Sequence, residues 1–311
     1  MRLFSTAALF TLYPKLTFMK KLKIATTPFI LLSFFSISIC KAQTETPATD
    51  STTITNDKEK KVRLSVATAF SSRLHYYGRT DSLKSSALIP TIVMQMGKHI
   101  SITPAFIFIN NNQASFNYAA STINATYNFG KKKGVAGTVY ADKFFYKGSS
   151  ELVRSVQQGQ AGFTLGYLNK IVNITGGSGA AFSKSNTDFF AIAQLDHAFK
   201  KTKGNNVFLI TPSATANAGT QNFTKSYYKK NNFLFFPATE QLVTEDSKQF
   251  SLLSYEFDLS LIYAYKRFIV NVTPGYVLPQ NIITVANNPS LSEKASNLFY
   301  CNAVFIYKLV K

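Results

Sequence analysis

From residue 61 onward the chain breaks into segments of about 10 to 15 residues in which apolar and polar positions alternate. Side chains of a strand point in turn to opposite faces, so each segment predicts a strand with one apolar and one polar face. The clearest run sets Tyr255, Phe257, Leu259, Leu261, Tyr263 and Tyr265 against Ser254, Glu256, Asp258 and Ser260. One face is wholly apolar and the other carries two carboxylates. Val62, Leu64, Val66 and Phe70 alternate with Arg63, Ser65 and Ala67, and Phe268, Val270 and Val272 with Ile269, Asn271 and Thr273. Ile123, Ala125, Tyr127 and Phe129 alternate with Thr122, Asn124, Thr126 and Asn128. Phe116 and Tyr118 are out of phase with that last set, which predicts a β-bulge near Ala119.

The joins between segments alternate in length. Tight joins fall at Gly97-Lys98, Gly130 to Gly134, Asn169-Lys170, Lys200 to Asn205 and Lys266-Arg267. Between them lie generally longer joins, around Tyr76 to Lys84, Asn110 to Gln113, Lys147 to Ser150, Lys184 to Thr187, Thr220 to Lys248 and Gln280 to Ala295. Outer-membrane barrels have this rhythm of short periplasmic turns and longer outer loops. The pattern predicts an all-β, antiparallel up-and-down transmembrane β-barrel of about twelve strands, within a range of about 10 to 14. An even count places both termini on the periplasmic side. The competing architecture is a secreted soluble β-sandwich acting in binding. Its outward face should be polar and charged, whereas positions such as Ser101, Thr103 and Ala105 are small and uncharged. Prolines 104, 212 and 274 fall inside predicted strands, where each removes a ladder donor and a closed barrel offers no edge to receive it.

Composition agrees with a membrane barrel. Charged residues make up 16 % of the 311 positions, below the roughly 25 % of soluble domains, while the hydrophobic fraction is an ordinary 46 %. There are 28 Phe and 16 Tyr and no Trp. Aromatics gather at predicted strand ends, as in Tyr76-Tyr77, Phe144-Phe145-Tyr146, Tyr227-Tyr228, Phe233 to Phe236 and Tyr307, which suits interfacial girdles.

The N-terminus carries an export signal. Met19 to Lys23 is basic, Ile24 to Ile39 is apolar, and Cys40-Lys41-Ala42 precedes Gln43 as a cleavage site. Residues 1–42 are therefore assigned to an upstream extension and signal peptide, with Met19 as the expected start, 43–60 to a flexible periplasmic leader, and 61–311 to the barrel. Six of the 34 basic residues and none of the 15 acidic ones lie in 1–42, so the remainder has a formal charge of +13. Its only cysteine is Cys301, which excludes an intrachain disulfide and a cysteine zinc site. No nucleic-acid motif accompanies the basic balance, so the expected partners are outer-membrane lipid, the barrel-assembly machinery during biogenesis, and a small solute. The expected location is the cell outer membrane.

Three stretches carry a family resemblance: Ile210 to Gln221, Ser254-Tyr255-Glu256-Phe257, and Val272 to Pro279. With the Lys-Ala-Gln signal end they resemble uncharacterised outer-membrane β-barrel proteins of Bacteroidota. That family carries no catalytic residues to transfer.

Little in the chain points to chemistry. His75, His99 and His197 are not at metal-ligand spacing, and no phosphate loop or nucleophile elbow occurs. No catalytic, cofactor or metal residue is assigned, and the chain is read as a non-enzyme. A lipid-modifying barrel enzyme is the alternative, with His75 in the first outer loop as its one candidate, although a solvated loop residue is the plainer reading. Gly176 to Gly179 reads as a kink or close-packing device within a strand. The functional lead is a set of polar positions expected to face the lumen: Asp142, Asp196, Glu256 and Asp258, with Arg63, Arg73, Lys143 or Arg154 as partners in a paired network. An acidic lining favours cations or basic solutes. The reading is therefore a narrow small-solute channel or a structural barrel.

Overall fold

The computed structural model describes residues 30–31, 36–37, 62–80, 83–113, 115–132, 134–147, 157–184, 186–222, 249–282 and 295–309. Within 1–61 only the two-residue pairing of Ile30–Leu31 with Ser36–Ile37 is described, so the expected signal and leader lie almost wholly outside these residues.

Twelve strands follow one another: β1 (Val62–Ser71), β2 (Ser86–Met96), β3 (Ile100–Asn110), β4 (Asn117–Lys132), β5 (Val135–Tyr146), β6 (Gln157–Tyr167), β7 (Asn173–Ser183), β8 (Thr187–Asp196), β9 (Asn206–Gly219), β10 (Ser251–Tyr265), β11 (Phe268–Pro279) and β12 (Leu298–Lys308). β8 pauses at His197 and Ala198 and resumes as Phe199–Lys203, and both parts pair with β9. Every strand is antiparallel to its neighbours in sequence. β12 returns to β1, with Asn302 opposite Ser71 and Lys308 opposite Ser65, and this pairing closes the ring. The protein is a twelve-stranded, up-and-down transmembrane β-barrel. A ring of one sheet has no second sheet to pack on, which excludes the sandwich.

The alternation becomes an inside and an outside. On β10, Tyr255, Phe257, Leu259, Leu261, Tyr263 and Tyr265 are exposed, and Ser254, Glu256, Asp258 and Ser260 are buried. In a soluble protein so many exposed apolar side chains would be an aggregation hazard. On a barrel they form the surface that meets lipid. The strands run to 10 or more residues, enough for a tilted crossing of about 30 Å of hydrocarbon. Exposed aromatics lie towards both rims. Tyr127, Tyr167, Tyr265 and Phe268 border the tight turns, and Tyr118, Phe145, Phe189 and Phe299 border the longer loops.

The predicted bulge is present: Ile107 pairs with Ala120 and Phe108 with Tyr118, which leaves Ala119 over. The prolines sit where the ladder is broken. Pairing of β2 with β3 lapses on either side of Thr91–Ala105, beside Pro90 and Pro104. Pairing of β10 with β11 lapses between Asp258–Gly275 and Leu261–Val272, opposite Pro274. Pro212 faces the pause in β8, where the His197 amide donates to the Pro212 carbonyl at 3.3 Å. A missing N–H costs nothing where no ladder bond is made.

All tight turns share one end of the barrel with the start of β1 and the end of β12. Gly97 and Gly204 take φ of +60° and +56° there, which L residues adopt only with strain. The other end carries the loops. Two aromatic pairs depart from the girdle expectation. Tyr76 and Tyr77 are buried inside the barrel, and Phe144 faces inward beside an outward, exposed Phe145. The clusters at Tyr227-Tyr228 and Phe233 to Phe236 lie outside the described residues.

Candidate functional site

The first loop turns into the mouth of the barrel. His75–Tyr76 pairs with Arg79–Thr80 across Tyr77 and Gly78, whose φ values of +54° and +79° give the two-residue hairpin a primed turn. Leu74, His75, Tyr76, Tyr77 and Arg79 are all buried. His75 is thus not a solvated loop residue. Its Nδ1 accepts from the Gly78 amide at 3.4 Å, and its ring lies 4.5 Å from that of Tyr300 on the wall. Apolar burial carries the hairpin inward, because Leu74, Tyr76 and Tyr77 join the interior cluster that includes Ile89, Ile107 and Phe144.

Arg79 fixes the hairpin to both ends of the β9–β10 connection and to the start of the β11–β12 connection. One guanidinium nitrogen donates to the carbonyls of Tyr77 at 3.0 Å and Leu253 at 3.3 Å. The other donates to Gln221 Oε1 at 2.8 Å and to the carbonyls of Gln280 and Asn281 at 3.2 and 3.4 Å. A planar fork with five N–H donors can do this, and an ammonium cannot. Gln221 adds its own bond to the Asn281 carbonyl at 3.2 Å.

Below this mouth the inner wall carries amides, hydroxyls and carboxylates in cross-strand rows, and towards the turn end it is apolar, with Val207, Leu209, Ile262, Ile269 and Ile306 buried there. In one row Asn124, Asp142 and Gln160 stand side by side on β4, β5 and β6. Asn124 Nδ2 donates to Asp142 Oδ1 at 2.7 Å, and Gln160 Nε2 to Asp142 Oδ2 at 2.9 Å. A second row runs Asn173, Asp196, Ser213, Asp258, Gly275, Tyr300 from β7 to β12. Asn173 Nδ2 donates to Asp196 Oδ2 at 2.8 Å, with Gln194 Nε2 on the other oxygen at 3.3 Å. The Tyr300 hydroxyl donates to Asp258 Oδ1 at 2.6 Å. Two residues along β10 from Asp258, Glu256 Oε1 accepts from Ser254 Oγ at 3.1 Å and Asn217 Nδ2 at 3.4 Å. Hydrogen bonds of this kind to a carboxylate contribute about 1.5–3 kcal/mol each.

All four carboxylates predicted to face the lumen, Asp142, Asp196, Glu256 and Asp258, are buried on the inner face. The partners differ from those expected. Lys143 is exposed on the outer face, as its place next to inward Asp142 requires. Arg63 shares the inward phase of Ser65 but sits half-buried near the turn end, opposite Gln95, and holds none of the described carboxylates. Arg73 lies half-buried in the first loop, where its carbonyl accepts from Ser71 Oγ at 3.0 Å. Arg154 lies outside the described residues. Asp188 was missed: it is buried and accepts from Thr220 Oγ1 at 2.8 Å and the Asn222 amide at 2.6 Å. Its alternation with outward Phe189 was a sufficient signal. Arg79 was missed as well, for want of any local pattern that sends a loop inward.

The glycine run is a close-packing device. A methyl on Gly177 would meet Phe163 O at 2.7 Å, and one on Gly162 would meet Ser178 O at 2.6 Å. Among the described residues no cluster of three or more His, Cys, Asp or Glu is placed to hold a metal.

No protein-family model matches the chain, and no curated protein matches it in sequence. Solved structures with a similar shape include the KdgM porin, at 8 % identity and a TM-score of 0.45, covering 79 % of this chain and 99 % of that one. LpxR from Salmonella typhimurium has 7 % identity and a TM-score of 0.45, covering 78 % and 99 %. The NanC porin has 9 % identity and a TM-score of 0.42, covering 79 % and 100 %.

Proposed function

We propose that this barrel resides in the outer membrane, with its tight turns and both chain ends in the periplasm, and serves as a narrow, cation-favouring pathway constricted at its loop end by the first loop. One observation carries the reading. Among the described residues the buried charges are Asp142, Asp188, Asp196, Glu256 and Asp258 against Arg79 alone, and Arg79 sits at the mouth. A low-dielectric wall bearing one sign of charge focuses the field and enriches counter-ions. Inward residues such as Thr103, Asn124, Thr211 and Asn217 are 0 % exposed. This supports a constricted interior rather than the aqueous channel of barrels with 16 to 18 strands.

The reading is non-enzymatic. His75, the one candidate for lipid chemistry, is buried against Tyr300 inside the ring, away from the lipid face. The physiological partners in this reading are outer-membrane lipid, the assembly machinery and a small cationic solute. Membership of the uncharacterised Bacteroidota barrels remains part of the proposal.

Planar-bilayer recording across a salt gradient tests it. The expected result is a small unitary conductance with a cation-selective reversal potential. A folded, inserted barrel that never conducts would remove the pathway and leave a structural barrel. Release from cells by osmotic shock without detergent would remove the membrane location.

A further inference from the structure

The charges outside the barrel are distributed unevenly, and the lumen reading makes no use of them. Every charged residue in the tight turns is basic: Lys98 in the β2–β3 turn, Lys170 in the β6–β7 turn, and Lys266 and Arg267 between β10 and β11. Lys131-Lys132 end β4 and Lys133 follows them in sequence, and the ribbon leading to the β8–β9 turn carries Lys200, Lys201 and Lys203. The stretches joining strands at the other end carry both signs, with Asp81, Glu151, Glu240, Glu245, Asp246 and Glu293 among them.

The depth of these residues gives the pattern a meaning. Lys266 lies directly after outward Tyr265, with its Nζ 5.0 Å from the centre of that ring. Arg267 directly precedes Phe268, which packs on Tyr307 at 4.9 Å. Phe199, 58 % exposed, opens the ribbon of Lys200, Lys201 and Lys203, and Lys170 adjoins Ile171, 78 % exposed. Lys170, Lys266, Arg267 and the Lys200 to Lys203 ribbon therefore border the apolar belt instead of standing off in bulk water. Tyrosine rings settle at the headgroup layer, so the cations beside Tyr265 lie at the depth of lipid phosphates. A plainer role exists for one group: Phe199–Lys203 pairs only with β9, and lysines on such an open edge discourage pairing with other chains. That role does not reach Lys170, Lys266 or Arg267, which are in turns.

We infer that the turn end of the barrel is a basic collar that binds the headgroups of anionic phospholipids in the leaflet beside it. The inference rests on the barrel being inserted in a membrane and is independent of conduction. Basic residues at a membrane surface attract anionic lipid, and the attraction falls off within a Debye length.

The test is the lipid preference of the purified protein in bilayers of phosphatidylcholine mixed with phosphatidylglycerol, read from immobilised spin-labelled lipid of each type. Wild type should prefer the anionic lipid by about threefold or more at low salt, and lose the preference at about 1 M salt, where the Debye length is near 3 Å. A variant with Lys170→Gln, Lys203→Gln, Lys266→Gln and Arg267→Gln should lose part of it, and the matching set with lysines changed to Arg, and Arg267 retained, should keep it in full. A variant with Lys84→Gln, Lys147→Gln and Lys184→Gln at the loop end should also keep it. Heat-dependent gel migration reports folding of each variant, and the wild-type salt series stands without any variant. Equal affinity of wild type for both lipids would overturn the inference. So would an equal loss in the loop-end variant. Failure of any immobilised lipid to appear, with either headgroup, would overturn membrane insertion itself.

Discussion

The Tyr300 hydroxyl reaches Asp258 Oδ1 at 2.6 Å across a strand that lies between them, because the intervening residue of their row is Gly275. A Cβ on Gly275 would collide with both Asp258 Oδ1 and the Tyr300 ring. Gly275→Ala should therefore lower unfolding stability by about 2–3 kcal/mol through overpacking. Tyr300→Phe should cost about 1–3 kcal/mol by removing a donor from a buried carboxylate. Gly176→Ala serves as the comparison, since its Cβ would meet only Ile192 O at 4.0 Å. That change should stay within about 0.5 kcal/mol of wild type. Urea titration of the barrel in detergent ranks the three, and a Gly275→Ala as stable as Gly176→Ala would remove the bridge from the account.

Arg79 ties the first loop to the segments around Gln221, Leu253 and Gln280. Arg79→Lys keeps the charge but cannot satisfy acceptors on two sides, so it should behave nearly as badly as Arg79→Ala. Each should cost about 2–3 kcal/mol of local stability as buried acceptors lose their donor. The loop end should then open: added protease should cut between β1 and β2 faster, and unitary conductance should rise. Unchanged conductance together with faster cleavage would show that the hairpin does not set the constriction.

Gly78 offers an independent handle on the same hairpin. Its φ of +79° disfavours any L side chain, and a Cβ would come within 3.0 Å of Pro279 Cβ. Gly78→Ala should loosen the mouth by about 1–2 kcal/mol without touching a charge. Amide exchange at Tyr76 and Thr80 should speed up relative to strand amides of β4. Exchange at the wild-type rate would mean that the turn tolerates the methyl and does not hold the hairpin in place.

The barrel was legible because period-2 alternation and the succession of short and long joins are both local signals. The bulge at Ala119 could be read from a slip in phase, and the inward carboxylates from their place opposite aromatic rows. Partners were not legible. Asp142 is held by Asn124 and Gln160, which are 18 residues away on either side, and only the register of three strands brings them together. Lys143 could have been dismissed by alternation alone, as the immediate neighbour of Asp142. The buried hairpin left no period to read. Its residues, two tyrosines, a histidine and an arginine, are the types that loops and girdles use, and their burial depends on a cavity that exists only once the ring has closed.

Asp142 and Lys143 turn that contrast into a test of the pathway. Asp142 faces the lumen between two amide donors, and Lys143, the next residue, faces outward. Asp142→Asn removes one negative charge from the inner wall and sets an amide nitrogen against a neighbouring donor, at a cost of about 1–3 kcal/mol. Lys143→Gln removes a charge of the opposite sign from the outer face, on the far side of the wall from the lumen. If cations follow the inner wall, Asp142→Asn should move the reversal potential in a salt gradient towards zero. Asp196→Asn, in the second row, should move it in the same direction. Lys143→Gln should leave it where wild type has it. Equal shifts for Asp142→Asn and Lys143→Gln would mean that net charge, and not the wall, sets selectivity.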